Sequence, residues 1–173
     1  MLQRLFRPNP AKLAGEALYA AAARQARKPD FYAAGGVADT REGRFELYTL
    51  HVILLVERLK GETGLAAEAR QNLFDRYVQG LDDAFRELGV GDTAVAKRVK
   101  ALGQAFYGRL KAFEEAVAQS DPAALADLLT RTVLEGRTET AADLTVYVTT
   151  ARDALSRQSV PALLAGDVIW EAA

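Results

Sequence analysis

The chain has 173 residues, half of them apolar, with no Cys, one His and a net charge of −1. That length suits one domain with an adequate core, and the lack of Cys excludes disulfides and thiolate sites and suits a reducing compartment. Near-neutrality excludes a globally basic nucleic-acid binder. The charge is nevertheless uneven: +4 over residues 1–60, −3 over 61–88, +4 over 89–111 and −6 over 112–173.

Residues 1–10 read as a flexible leader. Met1-Leu2-Gln3-Arg4-Leu5-Phe6-Arg7 is apolar and basic, but it lacks the apolar stretch and cleavage site of a secretory signal and is too brief for a transit peptide. Leu2, Leu5 and Phe6 could give a weak interfacial contact with lipid. No apolar run approaches the roughly 20 residues of a membrane span. Residues 11–173 read as one helical domain, with a subdivision near 120 where a mixed-charge body meets an acidic part.

Ala11 to Arg27 is Ala-rich and helical, and Lys28-Pro29 ends it. Asp30 to Gly43 is the most irregular stretch, with Phe31-Tyr32 either clamping a loop to the core or offering an aromatic hook to a partner. Arg44 to Lys60 is apolar nearly all round and so predicts a buried helix; a strand over Val52–Val56 competes, but the length favours helix. Arg44, His51 and Arg58 fall seven apart on one stripe. His51 reads as a structural histidine whose pKa the aligned arginines would lower.

Ala66 to Leu88 has a clear helical pattern. Leu73, Phe74, Tyr77, Val78, Leu81, Ala84, Phe85 and Leu88 share one face, while Asp75, Asp82 and Asp83 lie on the other. Gly89 suits a left-handed helix stop, and Asp92 suits an N-cap for the next helix. That helix, Thr93 to about Gln119, carries Val95, Val99, Leu102, Phe106, Leu110, Phe113 and Val117 inward. Lys97, Lys100, Tyr107 and Lys111 point outward, with Arg98 and Arg109 on the flank. Gly103 and Gly108 each cost about 1 kcal/mol relative to Ala, which suggests close approach of another backbone at this helix or its neighbour.

Ser120-Asp121-Pro122 starts a further helix through Leu125, Leu128, Leu129 and Val133. Thr138 to Arg157 supplies another, with Leu144, Tyr147, Val148, Ala151 and Leu155 inward. Val160 to Gly166 is a short turn or helix, and Val168-Ile169-Trp170 is expected to fold back on the body. The pattern predicts an all-α fold, a single compact domain of about six to eight helices.

Catalytic signatures are missing. There is no metalloprotease helix, phosphate loop or dinucleotide fingerprint, and Gly89-x-Gly91 follows a helix rather than a strand. Ser120, Ser156 and Ser159 are the only serines, and none has a histidine near in sequence. Asp75, Asp82 and Asp83 read as a solvated face, with acid–base or metal-ligating roles as the alternative. The reading is a non-enzyme without metal, cofactor or small-molecule substrate. The Lys97/Lys100/Lys111 row with Tyr107 is solvated surface, a docking face for an anionic or amphipathic partner, or a contact for anionic headgroups. Nucleic acid fits poorly, since one short row neutralises few phosphates.

Gly89-Val90-Gly91-Asp92, Lys97-Arg98-Val99-Lys100 and Ala105-Phe106-Tyr107-Gly108-Arg109 together resemble the ubiquinol–cytochrome c chaperone family, the assembly factors for cytochrome b of respiratory complex III. Ala26-Arg27-Lys28-Pro29-Asp30-Phe31-Tyr32, Asp39-Thr40, Gly43-Arg44-Phe45-Glu46, Leu50-His51-Val52, Leu73-Phe74-Asp75 and Leu81-Asp82 extend the likeness over about residues 14–165. The chain resembles the shorter, bacterial branch. It departs from the family pattern in carrying Tyr77, Leu81 and Leu88 where methionines are frequent. The resemblance implies a fully helical domain that binds newly made cytochrome b, working in the cytoplasm or peripherally at the inner face of the membrane. On that reading Lys97, Arg98, Lys100, Tyr107, Arg109 and Lys111 form a basic rim for partner or lipid, and Phe31, Tyr32 and His51 belong to a client groove. A peripheral lipid-binding domain is the alternative.

Overall fold

Asn9 opens the first helix: its side-chain oxygen accepts from the Ala11 amide at 2.9 Å, and Pro10 takes the first helical position. The computed structural model describes residues 9–119 and 121–171. The lipid contact expected from Leu2, Leu5 and Phe6, and the residue Ser120, lie outside them. Eight helices are found among the described residues: α1 (Pro10–Ala26), α2 (Asp30–Ala33), α3 (Arg41–Arg58), α4 (Leu65–Glu87), α5 (Asp92–Ala118), α6 (Pro122–Thr132), α7 (Ala141–Arg157) and α8 (Val160–Leu164). The all-α expectation holds.

Helix α3 forms the centre. Leu47, Leu50 and the whole run from Val52 to Val56 are at most 7% exposed, so the helix is covered by neighbours on every side from Thr49 to Val56. It begins at Arg41, three residues earlier than the apolar pattern alone suggests, because the Thr40 side chain accepts from the Gly43 amide at 3.0 Å. Phe31 sits on the short α2 rather than on an irregular loop. Both changes come from local capping, which an apolar pattern does not register.

The close backbone approach is on α1. A Cβ at Gly15 would stand 2.6 Å from the Asn72 Cβ and 2.8 Å from its carbonyl carbon, whereas nothing lies within 4 Å of one at Gly103 or Gly108. The expectation at α5 is therefore corrected: the glycine that lets two helices touch is in α1 against α4. Gly89, with φ of 74°, is the helix stop anticipated for α4. Its amide and that of Val90 return to the Arg86 and Phe85 carbonyls. Asp92 is not the cap, which falls to Gly91. As the first residue of α5, its carboxylate instead pairs with Arg86 across the corner and complements the helix dipole.

At the other end Asp121 caps α6 by accepting from the Ala123 amide at 2.9 Å. After α8 the chain turns back as expected. Gln158 clips the tail in both directions, donating to the Ile169 carbonyl at 2.7 Å and accepting from the Ile169 amide at 2.8 Å. Trp170 is thereby buried, with its ring edge-on to His51 at 5.0 Å.

Candidate functional site

Helix α5 divides the residues of the expected basic rim. Lys97, Arg98, Lys100, Tyr107 and Lys111 are exposed. Lys111 has only a loose partner, Glu115 at 3.8 Å. Arg98 lies over the Phe85 ring at 5.6 Å, and Tyr107, 53% exposed, leans on Phe74 with ring centroids 4.9 Å apart. Arg109 points the other way. Its Nε donates to Glu46 Oε2 at 2.9 Å and its Nη2 to Oε1, tying α5 to α3. It serves the body and does not stand in the row.

Two of the three residues assigned to a client groove are in the core. His51 has no exposed surface and Phe31 is 9% exposed. The His51 Nδ1 faces the Leu47 carbonyl at 2.8 Å. A carbonyl can only accept, so Nδ1 carries the proton and the neutral ring presents Nε2 as acceptor. Tyr147 donates its hydroxyl to Nε2 at 2.7 Å and accepts in turn from the Gln25 side-chain amide at 3.0 Å. Burial pushes the His51 pKa down to about 4, against the bond to Leu47, with nearby Lys28 adding to the fall. The direction is the expected one, but its main cause is desolvation rather than the arginines of the stripe. Arg58 is engaged elsewhere, with Glu62 and with the Leu155 and Gln158 carbonyls.

Tyr32 does border an opening, and a much larger one than those three residues imply. Helices α1 and α4 touch at Gly15–Asn72 and again where the Tyr19 hydroxyl would lie 2.7 Å from a Cβ at Gly80. Beyond that point a groove of about 700 Å³ opens. Tyr19, Ala23 and Ala26 of α1 and Phe45 and Tyr48 of α3 form one side; Leu81, Ala84, Phe85 and Leu88 of α4 with Leu102 of α5 form the other. Arg27, Tyr32, Arg41, Glu42 and Arg44 stand around one end. At its floor the Tyr48 hydroxyl is buried without a hydrogen-bond partner. Burial pushes its pKa up, with Tyr19 acting in the same direction.

The sequence assigns Leu81, Phe85 and Leu88 correctly to the apolar face but gives them a covered position. The signal that could have shown this was helix length, which the sequence pattern already carried. At about 1.5 Å per residue, α4 and α5 run roughly 35 and 40 Å, against roughly 26 Å for α1 and α3. The longer hairpin extends past the body, so its apolar stripe is left open: Leu88 is 52% exposed.

Among the described residues no three His, Cys, Asp or Glu side chains gather as a metal site. Asp75 accepts from Gln71, and Asp82 pairs with Arg86. No helix among the described residues is long and apolar enough to cross a membrane.

The described residues thus form an all-helical body with an open, largely apolar groove. Residues 33–170 match the profile of the Ubiquinol-cytochrome C chaperone family, and the chain belongs to that family. The crystal structure of the Cbp3 homolog from Brucella abortus is similar, with a TM-score of 0.84 and 37% identity over 99% of this chain and 97% of that one. No curated protein matches the chain significantly.

Proposed function

We propose that the chain is a non-catalytic assembly chaperone that holds newly made cytochrome b during assembly of the cytochrome bc1 complex, with the groove between α1, α3 and the α4–α5 hairpin as the client site. The observation that carries this reading is the groove itself, about 700 Å³ of largely apolar space left open to solvent in a member of this family. An unassembled membrane protein presents apolar helices that must be shielded from water and from one another. A cleft walled by Leu81, Phe85, Leu88 and Leu102 offers such a helix a place to bury one face. On this reading the chain works in the cytoplasm or peripherally at the inner face of the membrane.

The test is site-specific crosslinking in cells. Photo-reactive residues at Tyr32 and Leu88, both at the groove, are expected to capture cytochrome b, and one at exposed Val146 of α7 is not. A deletion strain is expected to lose mature cytochrome bc1 while keeping its other oxidases. Normal bc1 in the deletion strain, or equal capture from Val146, would sink the proposal.

A second reading, a peripheral lipid-binding face, draws on the solvent-facing Lys97, Lys100 and Lys111 around Tyr107. Each basic residue near an anionic surface adds about 1 kcal/mol. Flotation with phosphatidylglycerol vesicles, lost in the Lys97→Glu/Lys100→Glu/Lys111→Glu variant and absent with neutral vesicles, is the expected signature.

A further inference from the structure

The groove is apolar along its length but electrically one-sided at its end. Arg27, Arg41 and Arg44 stand there with Glu42 as the one lining carboxylate. Arg44 is held by Asp39 at 2.5 Å, with its guanidinium 4.8 Å above the Tyr32 ring. Arg27 and Arg41 are exposed, and neither has an ion-pair partner among the described residues. Arg41 is also in an unfavourable place for folding: it is the first residue of α3, the positive end of the helix dipole, where a cation destabilises. Across the groove, exposed Arg98 stands over Phe85, one of the lining rings. Two unpaired cations, Arg27 and Arg41, therefore stand at the edge of an apolar trough.

From this arrangement we infer that the groove selects an apolar helical segment of the client that ends in acidic residues, seated with its carboxylates at Arg27 and Arg41. The inference rests on the groove being the client site and adds the chemistry of what enters it. The rim also works by exclusion. Segments on the cytoplasmic side of membrane proteins are enriched in Lys and Arg, and cations at the mouth disfavour those. Apolar contact supplies attraction to any membrane helix, whereas the cations choose among them.

The experiment uses the full chain and two Ala/Leu helical peptides of about four turns, each with an uncharged fluorophore, one ending in glutamates and the other in lysines. Binding is read by anisotropy. The acidic-ended peptide is expected to bind roughly tenfold tighter, and the preference should fade at high salt. Arg27→Glu/Arg41→Glu should reverse the order. Ala84→Trp, which fills the groove, should weaken both, with far-UV circular dichroism confirming that the variants fold. Equal binding of the two peptides, both lost in Ala84→Trp, overturns the charge selection and leaves the groove as the client site. Failure of both peptides to bind, or binding untouched by Ala84→Trp, overturns the groove reading and this inference with it. Displacement of the acidic peptide by monomeric short-chain phosphatidylglycerol, but not phosphatidylcholine, would make an anionic lipid the occupant and also overturn it.

Discussion

His51 donates a hydrogen bond from Nδ1 to the Leu47 carbonyl and accepts one at Nε2 from the Tyr147 hydroxyl, so protonating the fully buried ring would add a charge there and cost it the bond that Tyr147 donates. The folded-state pKa, about 4, lies below the roughly 6.5 of an unfolded histidine. Between those values the unfolded chain binds the proton and the folded one does not. The stability from the neutral ring is thus complete above pH 6.5 and is lost as pH falls toward 4. The loss should approach about 3 kcal/mol, read as a falling urea midpoint whose slope flattens in His51→Gln. Arg109 gives a second prediction. Its two bonds to Glu46 join side chains 27% and 16% exposed, so Arg109→Ala leaves a half-buried carboxylate unpaired. A cost of about 1–3 kcal/mol is expected, and pairing the change with Glu46→Gln should recover part of it in a double-mutant cycle. A sequence shows that both side chains can carry charge; which way each points depends on partners that are distant in the chain. The Arg109 partner lies 63 positions away and the Tyr147 hydroxyl 96 positions from His51.

Helices as elements were legible because each carries its own period and punctuation. Asp121-Pro122, Gly89 and Lys28-Pro29 act within a turn of the boundary they set, and the structure puts α6, the end of α4 and the end of α1 there. Glycines inside helices were not legible in the same way, since a Gly looks alike whether another backbone presses on it or nothing does. The distinction is testable. Gly15→Ala gains helix propensity but drives a methyl into the Asn72 backbone, and is expected to cost about 1–3 kcal/mol net through overpacking. Gly103→Ala and Gly108→Ala meet no atom within 4 Å, and each should stabilise by about 0.5–1 kcal/mol. Thermal melts of the three variants should therefore move in opposite directions.

At the scale of the molecule, the apolar face of α4 was legible and its incomplete cover was not, because cover depends on how far α1 and α3 reach. Two of the three residues expected in the groove, Phe31 and His51, are aromatic and so equally suited to a core, and the core is where they lie, while Tyr32 does line the groove. The outer part of the hairpin buries little: from Val78 to Lys100 only Val95 is fully buried. Amides there are expected to exchange with deuterium faster than those of α3, and to slow when the groove is filled. The far side of α1 offers a control. Trp170, the single tryptophan of the chain, lies against the Ala21 and Gln25 face of α1, while Ala23 and Ala26 face the groove. An indole edge-on to an imidazole makes this tail a native fluorophore with its own quencher. Its emission should dim once His51 gains charge or brighten and redshift when the tail lifts into water, giving an optical gauge of the seal that stays steady while the opposite face of the same helix is loaded and emptied.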